Sequence, residues 1–325
     1  MNFLLDNPLT TMYGPYFLVL YGFVILFTLM VLGYIKSGID QTEHLPTPAI
    51  PPNPDPFEIA YLRGGPNELA RSAVFSLLNK GLIEIKNDSD KSTIKPILPP
   101  GQLPRGLAPI EDLTMRWIGG GRESGDVFAK STGLVEYLDS PADVFQNKLE
   151  SQQMLIDSNA ENGFRKWKKI ALLIIIGLGV YKLAAALLLG SFNVMFLVVF
   201  GFAGLIIAKW ISTMPRITKR GKAYLERLQL AFGDLKYRSQ APYLKSDSPR
   251  PLVQPAYAGV DPLLLSVGIF GGSILAGTIY DDYNHAFLRS QNQNSGGSSC
   301  GSSCGSSCSS GDGGGGGCGG CGGGD

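Results

Sequence analysis

Residues 170–211 read IALLIIIGLGVYKLAAALLLGSFNVMFLVVFGFAGLIIAKWI, and how this stretch divides decides the fold. It is about twice the ~20 residues a helix needs to cross roughly 30 Å of hydrocarbon. It is interrupted near Gly190, Ser191 and Asn193. Turn formers at the middle of a double-length apolar run predict a helical hairpin, with arms at 170–189 and 194–211. Lys182 lies in the first arm, where a charge at the bilayer centre would cost at least roughly 2.5 kcal/mol. Because it is nearer the Gly190 turn, its ammonium is expected to snorkel to that interface along its own stem.

Toward the N-terminus a further uncharged run extends from Asn7 to Ile35, with a dense apolar core from Tyr16. This predicts another span at 15–35, preceded by a short external N-terminus at 1–14. A secretory signal peptide would carry a basic n-region, but the first 35 residues contain no Lys or Arg, so an uncleaved anchor is expected. Basic loops near spans stay cytoplasmic. Lys36 follows the first span, Arg165, Lys166, Lys168 and Lys169 precede the second, and Arg216, Lys219, Arg220 and Lys222 follow the third. The expected topology is therefore multi-pass with the N-terminus outside and residues 36–169 cytoplasmic. In a bacterium this would be the inner, or plasma, membrane.

The whole chain is nearly neutral, with 28 Lys and Arg against 27 Asp and Glu, so net charge points to no class of partner beyond the lipid bilayer. Between the first two spans, a linker at 36–54 holds five prolines from Gln41 to Pro54 and should be a semi-rigid extended spacer. A cytoplasmic domain is expected at 55–160. Asp55-Pro56-Phe57-Glu58 starts a helix with an N-cap acceptor and proline at the first helical position. Gly64-Gly65 ends that helix, and Pro66 opens a second whose apolar residues Leu69, Ala70, Ala73, Val74, Leu77 and Leu78 share one face. Gly81 closes it, and Leu82–Lys86 with Thr93–Leu98 read as a short β-hairpin around Asn87-Asp88-Ser89-Asp90. A further element is expected from Ile110 to Ile118, ended by Gly119-Gly120-Gly121. A last helix is expected to start at the capping box Ser140-Pro141-Ala142-Asp143. Its thin stripe of Val144, Phe145, Leu149, Leu155 and Ile156 leads toward the second span.

Helix, helix and hairpin in this order resemble a winged helix. The fold class expected is thus a mainly α membrane protein: at least three transmembrane helices, a small α+β winged-helix-like cytoplasmic domain and a disordered tail. A DNA-binding winged helix sets its second helix in the major groove. Here that helix has only Arg71 and Lys80 as basic residues, and residues 36–169 hold 16 Lys and Arg against 18 Asp and Glu. Nucleic acid is therefore not the expected partner.

The stretch 56–86, PFEIAYLRGGPNELARSAVFSLLNKGLIEIK, resembles the signature of an uncharacterised family of bacterial membrane proteins. In that family an E-I/L-A-Y-L-x-G-G-P helix pair follows an N-terminal span, a helical hairpin comes next, and a low-complexity tail rich in Gly and Cys ends the chain. Thr218, Arg220, Gly221 and Leu225 supply a matching T-x-R-G-x-x-x-L. The resemblance implies this order of domains. It brings no activity, substrate or catalytic residue.

After the hairpin, residues 216–240 should form a basic amphipathic helix, lying on anionic headgroups or docked on the cytoplasmic domain. Residues 261–288 are a Gly-rich apolar helix, a possible fourth span, with Gly268, Gly272 and Ala276 four apart. A non-spanning helix is preferred. Residues 291–325 are Gly, Ser and Cys and cannot bury enough surface to order. Cys300, Cys304, Cys308, Cys318 and Cys321 lie there, so no disulfide staples the body. Such thiolates could take a soft metal such as zinc, although no framework holds four of them together. His44 and His285 stand in no nucleophile or metal constellation, and no phosphate-loop or hydrolase motif occurs. No catalytic or cofactor-binding residue is expected, and no small-molecule substrate is indicated. The function expected is therefore not enzymatic but that of a membrane-anchored scaffold or regulator binding a protein partner in the cytoplasm. The alternatives are a membrane-tethered transcription regulator and a metal- or thiol-handling protein acting through the tail.

Overall fold

The computed structural model describes residues 14–87, 91–98, 104, 106–129, 131–188, 195–211, 213–234, 261–284 and 286–287. The cysteine tail, the residues before Gly14, the hairpin turn at 88–90 and the Gly190 turn lie outside them. The protein is mostly helical, with one small sheet.

Three helices form an apolar bundle: α1 (Gly14–Ile39), α7 (Ser158–Leu188) and α8 (Met195–Ile211). Phe17, Tyr21 and Ile25 of α1 pack against Ile175 of α7 and Ala208 of α8. The Tyr21 hydroxyl donates to the Ile175 carbonyl at 3.0 Å. It fits because Gly179 and Gly201 face it, where a Cβ would come within 2.9 and 3.2 Å of its oxygen. Phe23, Leu26, Phe27, Met30, Leu173, Val180, Val199, Phe202 and Ile206 are exposed on the outside of the bundle. Among the described residues, one helical stretch, Pro15–His44, is by length and composition able to cross a membrane, and Val198–Lys209 is a shorter apolar helix. Lys182 is buried in the bundle, with its ammonium over the ring of Phe17, in the first turn of α1, at 4.9 Å.

The second body is built around α2 (Pro56–Gly64) and α3 (Pro66–Asn79). Asp55 caps α2 as expected, accepting from the Phe57 amide at 2.9 Å. Gly65, at φ 78°, lets one helix turn directly into the next. Strands β1 (Ile83–Asn87) and β2 (Ser92–Pro96) pair antiparallel with Ile85 opposite Ile94. The two-residue β3 (Arg122–Glu123) adds to β2, giving sheet order β1-β2-β3. Between β2 and β3 lies α4 (Pro109–Ile118), and after β3 come α5 (Leu134–Tyr137) and α6 (Asp139–Ser151).

The capping box expected at Ser140 does not form. The preceding Leu134 and Leu138 are both fully buried, one helical turn apart, so α5 runs almost directly into α6 and Leu138 becomes its N-cap. The stripe expected to continue to Ile156 is also cut. Helix α6 stops at Ser151, Gln153 takes φ 57°, and Leu155 bridges to Ile217 instead.

The core of this body does not close within 55–160. Helix α9 (Lys219–Ala231) adds Tyr224, Leu225, Leu228 and Phe232. Helix α10 (Pro262–Phe270) and the turns after it add Leu263, Leu265, Ile269, Leu275, Tyr283 and Phe287. The nine residues of α10 rise only about 13.5 Å, short of a bilayer core, and Gly271 at φ 93° ends it. Residues 262–270 are packed in the core of this body. Of the small-residue stripe, Gly268 has a packing reason, since a Cβ there would lie 2.7 Å from the Pro56 carbonyl oxygen. The proline linker is not a free spacer either: Ile50 packs on the core and Thr47 accepts from Arg227 at 3.2 Å.

Glu111 is the core's buried charge, 2% exposed, and it joins α3 to α4. Burial pushes its pKa up, but the Lys80 ammonium at 2.5 Å, the Ser76 hydroxyl and the Ala108 amide hold it below the ordinary value. A lowered folded-state pKa means stability that is fully present above pH 4.5 and lost as pH falls through the folded value. Glu111→Ala is expected to cost about 2 kcal/mol near neutral pH, reduced from a fully buried pair because Lys80 reaches water. Its stability should also fall less below pH 4.5 than that of the parent protein, as read by urea melts at pH 7 and pH 4.

Candidate functional site

The polar groups whose arrangement stands out lie where the bundle meets the helical body. Three backbone segments converge there: the end of α1, residues 152–156 before α7, and residues 213–221 after α8. Thr218 organises the meeting. Its hydroxyl donates toward the carbonyls of Gln153 (2.8 Å) and Met154 (3.0 Å), and it accepts from the Gly221 amide at 3.0 Å as N-cap of α9. The Thr218 amide donates to the Met154 carbonyl, and the Ile156 amide to that of Arg216, both at 3.1 Å. A short antiparallel bridge thus ties the chain entering α7 to the chain leaving α8.

Two arginines lock this bridge from opposite sides. Arg220 donates to the carbonyls of Gln152 (2.9 Å) and Pro46 (3.1 Å). Arg216 lies over the Tyr61 ring at 4.4 Å and donates to the Tyr61 carbonyl at 2.7 Å. Burial pushes the Arg216 pKa down, and Tyr61 offsets part of this. The positive-φ Gly65 leaves room for that guanidinium, since a Cβ there would meet it at 3.1 Å. Tyr61 and Gly65 of the stretch 56–86 thus work as one unit with Arg216. Gly221 is equally constrained, because a Cβ would run into the Met154 carbonyl oxygen.

The end of α1 joins the same clasp. Asp40 accepts from the Lys219 amide at 2.8 Å and from the Thr42 hydroxyl at 2.6 Å. Burial raises the Asp40 pKa, but these two donors hold it below its usual value. Glu43 pairs with Lys219 at 2.5 Å, and Lys36 donates to the Thr213 carbonyl at 2.7 Å. Next to the clasp is a cleft of about 220 Å³, lined by Pro48, Pro51, Glu58, Lys148, Gln152 and Tyr224. Its charged rim is closed by the Lys148–Glu58 pair at 2.6 Å.

The expected metal ligands Cys300, Cys304, Cys308, Cys318 and Cys321 all fall outside the described residues, as does His285. Among the described residues no group of three or more His, Cys, Asp or Glu could hold a metal ion. The helix that would enter a DNA groove, α3, has eight of its fourteen residues buried and is the centre of the core. Its basic residue Arg71 is engaged with Glu68, and Lys80 at its C-cap with Glu111. Docking α9 in this way decides its expected alternatives in favour of the domain. The clasp was hidden from sequence reasoning because its partners are backbone carbonyls, which no residue pattern reports.

Residues 47–230, more than half the chain, match the model of a family described as "Predicted membrane protein (DUF2207) C-terminal domain". No curated protein and no solved structure matches the chain.

Proposed function

The chain belongs to the DUF2207 family of predicted membrane proteins, and from that premise we propose that it is a three-span scaffold holding its helical body at the cytoplasmic face for a protein partner. One observation carries the topology: α1, α7 and α8 are antiparallel in sequence, and the near ends of all three are tied into one clasp. Each helix then crosses in alternate direction. The exposed apolar exterior of the bundle and the basic residues at its near end support the same reading.

A scaffold is favoured over an enzyme because two carboxylates within the helical body are engaged in joining elements. Glu111 joins α3 to α4, and Glu68 sits between Arg63 and Arg71. A transcription regulator working through α3 is disfavoured by the burial of that helix. The thiol reading rests on the tail, and unchanged metal content after deletion of residues 291–325 would end it.

The test is membrane-impermeant maleimide labelling of spheroplasts. On a cysteine-free background, single cysteines replacing Asn2, Ser89 and Ser191 are expected to label without lysis, only after lysis, and without lysis. Labelling of the Ser89 position in intact spheroplasts would reverse the orientation and remove the cytoplasmic partner. Recovery of the detergent-solubilised full chain alone after in-cell crosslinking would count against a protein partner.

A further inference from the structure

The docking of α9 leaves the basic charge of this region unequally used. From Asn162 to Leu225 there are ten Lys and Arg and no Asp or Glu. On the domain side several are consumed: Lys219 pairs with Glu43, Arg220 grips backbone carbonyls, and Arg216 is stacked on Tyr61. Arg165 is held by Glu161 at 2.8 Å. The first turns of α7 differ. Lys166 and Lys169 are exposed there, Lys168 is half-exposed, and Trp167 between them is 52% exposed.

Their height along the bundle is set by packing. Phe164 and Ala171 of α7 pack on Leu32 of α1, so the Lys166–Lys169 turn lies level with Leu32, and Tyr34 is less than one helical turn (about 3 Å) beyond it. Tyr34 is 80% exposed, and one residue past the lysines the exposed apolar face of α7 begins at Ile170. An exposed Trp and Tyr at one level, with ammonium groups beside them and hydrocarbon-facing side chains beyond, fit the headgroup layer of a bilayer. Charge complementarity selects among headgroups, because nearby carboxylates are already answered and a phosphodiester of net negative charge is what remains to pair with the lysines.

We propose that Lys166, Lys168 and Lys169, flanking Trp167, form a binding site for anionic phospholipid headgroups on the domain side of the membrane. The site rests on the three-span reading and deepens it by naming a lipid class. Each lysine near an anionic surface contributes at most about a fivefold gain in association, and salt screening lowers this to about twofold, so the three together favour an anionic over a zwitterionic lipid by about tenfold.

Trp167 is the reporter at the bilayer, because Trp210 is replaced and Trp117, buried in the core of the helical body, supplies a constant background that bromine in the acyl chains does not reach. The full chain carrying Trp210→Phe is reconstituted in mixed vesicles with phosphatidylglycerol or phosphatidylcholine brominated high on the acyl chains, and fluorescence quenching gives relative association. Brominated phosphatidylglycerol is expected to be preferred about tenfold. Lys166→Ala/Lys168→Ala/Lys169→Ala should bring the preference within about twofold, whereas the triple Arg variant should retain it. Equal quenching by the two lipids, or a preference unmoved in the Ala variant, overturns the site while leaving the spans intact. No quenching by either lipid overturns the three-span reading itself.

Discussion

Residues 50–160 expressed alone are expected to show no cooperative unfolding transition, whereas the same residues joined by a flexible linker to residues 213–290 should melt cooperatively. Of the 37 buried apolar residues in the main core, fourteen lie between Tyr224 and Phe287, so removing them opens the core along α2 and α3. At about 1.5–3 kcal/mol for each fully buried large side chain, that loss exceeds the roughly 5–15 kcal/mol by which a domain is stable. Specific polar ties go with it, including Tyr283 to the Arg71 carbonyl at 2.8 Å and Tyr280 to Asn79 at 2.8 Å. Thermal melts followed by circular dichroism decide the matter. A sharp transition from 50–160 alone would mean that the C-terminal segment is an accessory and not part of the core.

Gly221→Val is expected to destabilise the full chain by about 3 kcal/mol, the upper range for forcing volume into a packed site. The Met154 carbonyl that its Cβ would strike is itself held by Thr218, so neither side of the clasp can give. Gly163→Ala in α7 is the contrast. Nothing lies within 4 Å of a Cβ there, and the substitution should stabilise by about 0.5–1 kcal/mol through helix propensity alone. Denaturant melts of the detergent-solubilised protein would compare the two. Equal effects would mean that the junction is looser than its hydrogen bonds suggest.

What was legible in the chain was mostly local. Asp55-Pro56, Gly64-Gly65 and Gly81 carry their instruction in backbone chemistry and sit where they were expected. The hairpin followed from alternation over a few residues. Long-range choices were not legible. A continuous apolar run such as Pro262–Phe270 reads alike for a bilayer and for the centre of a helical core, and contacts with distant residues, such as the Pro56 backbone against Gly268, separate the two. The Ser140 cap failed because burial of Leu138 outweighed a capping preference of about 1 kcal/mol. The proline linker looked free because its anchors, Arg220 and Arg227, lie far away in the chain.

The discontinuity of the core also sets a timetable. A ribosome adding about 5–20 residues per second needs roughly 7–26 s to travel from Ile156 to Phe287. For that interval α2 and α3 have left the ribosome without the chain that covers them. In the proposed three-span topology α7 and α8 insert as a pair during the same interval, since Thr218 then meets Met154 only after the nascent chain has gone across and come back. Closure of the body therefore follows correct insertion, and a chain whose hairpin fails to insert keeps an open apolar face for quality-control proteases.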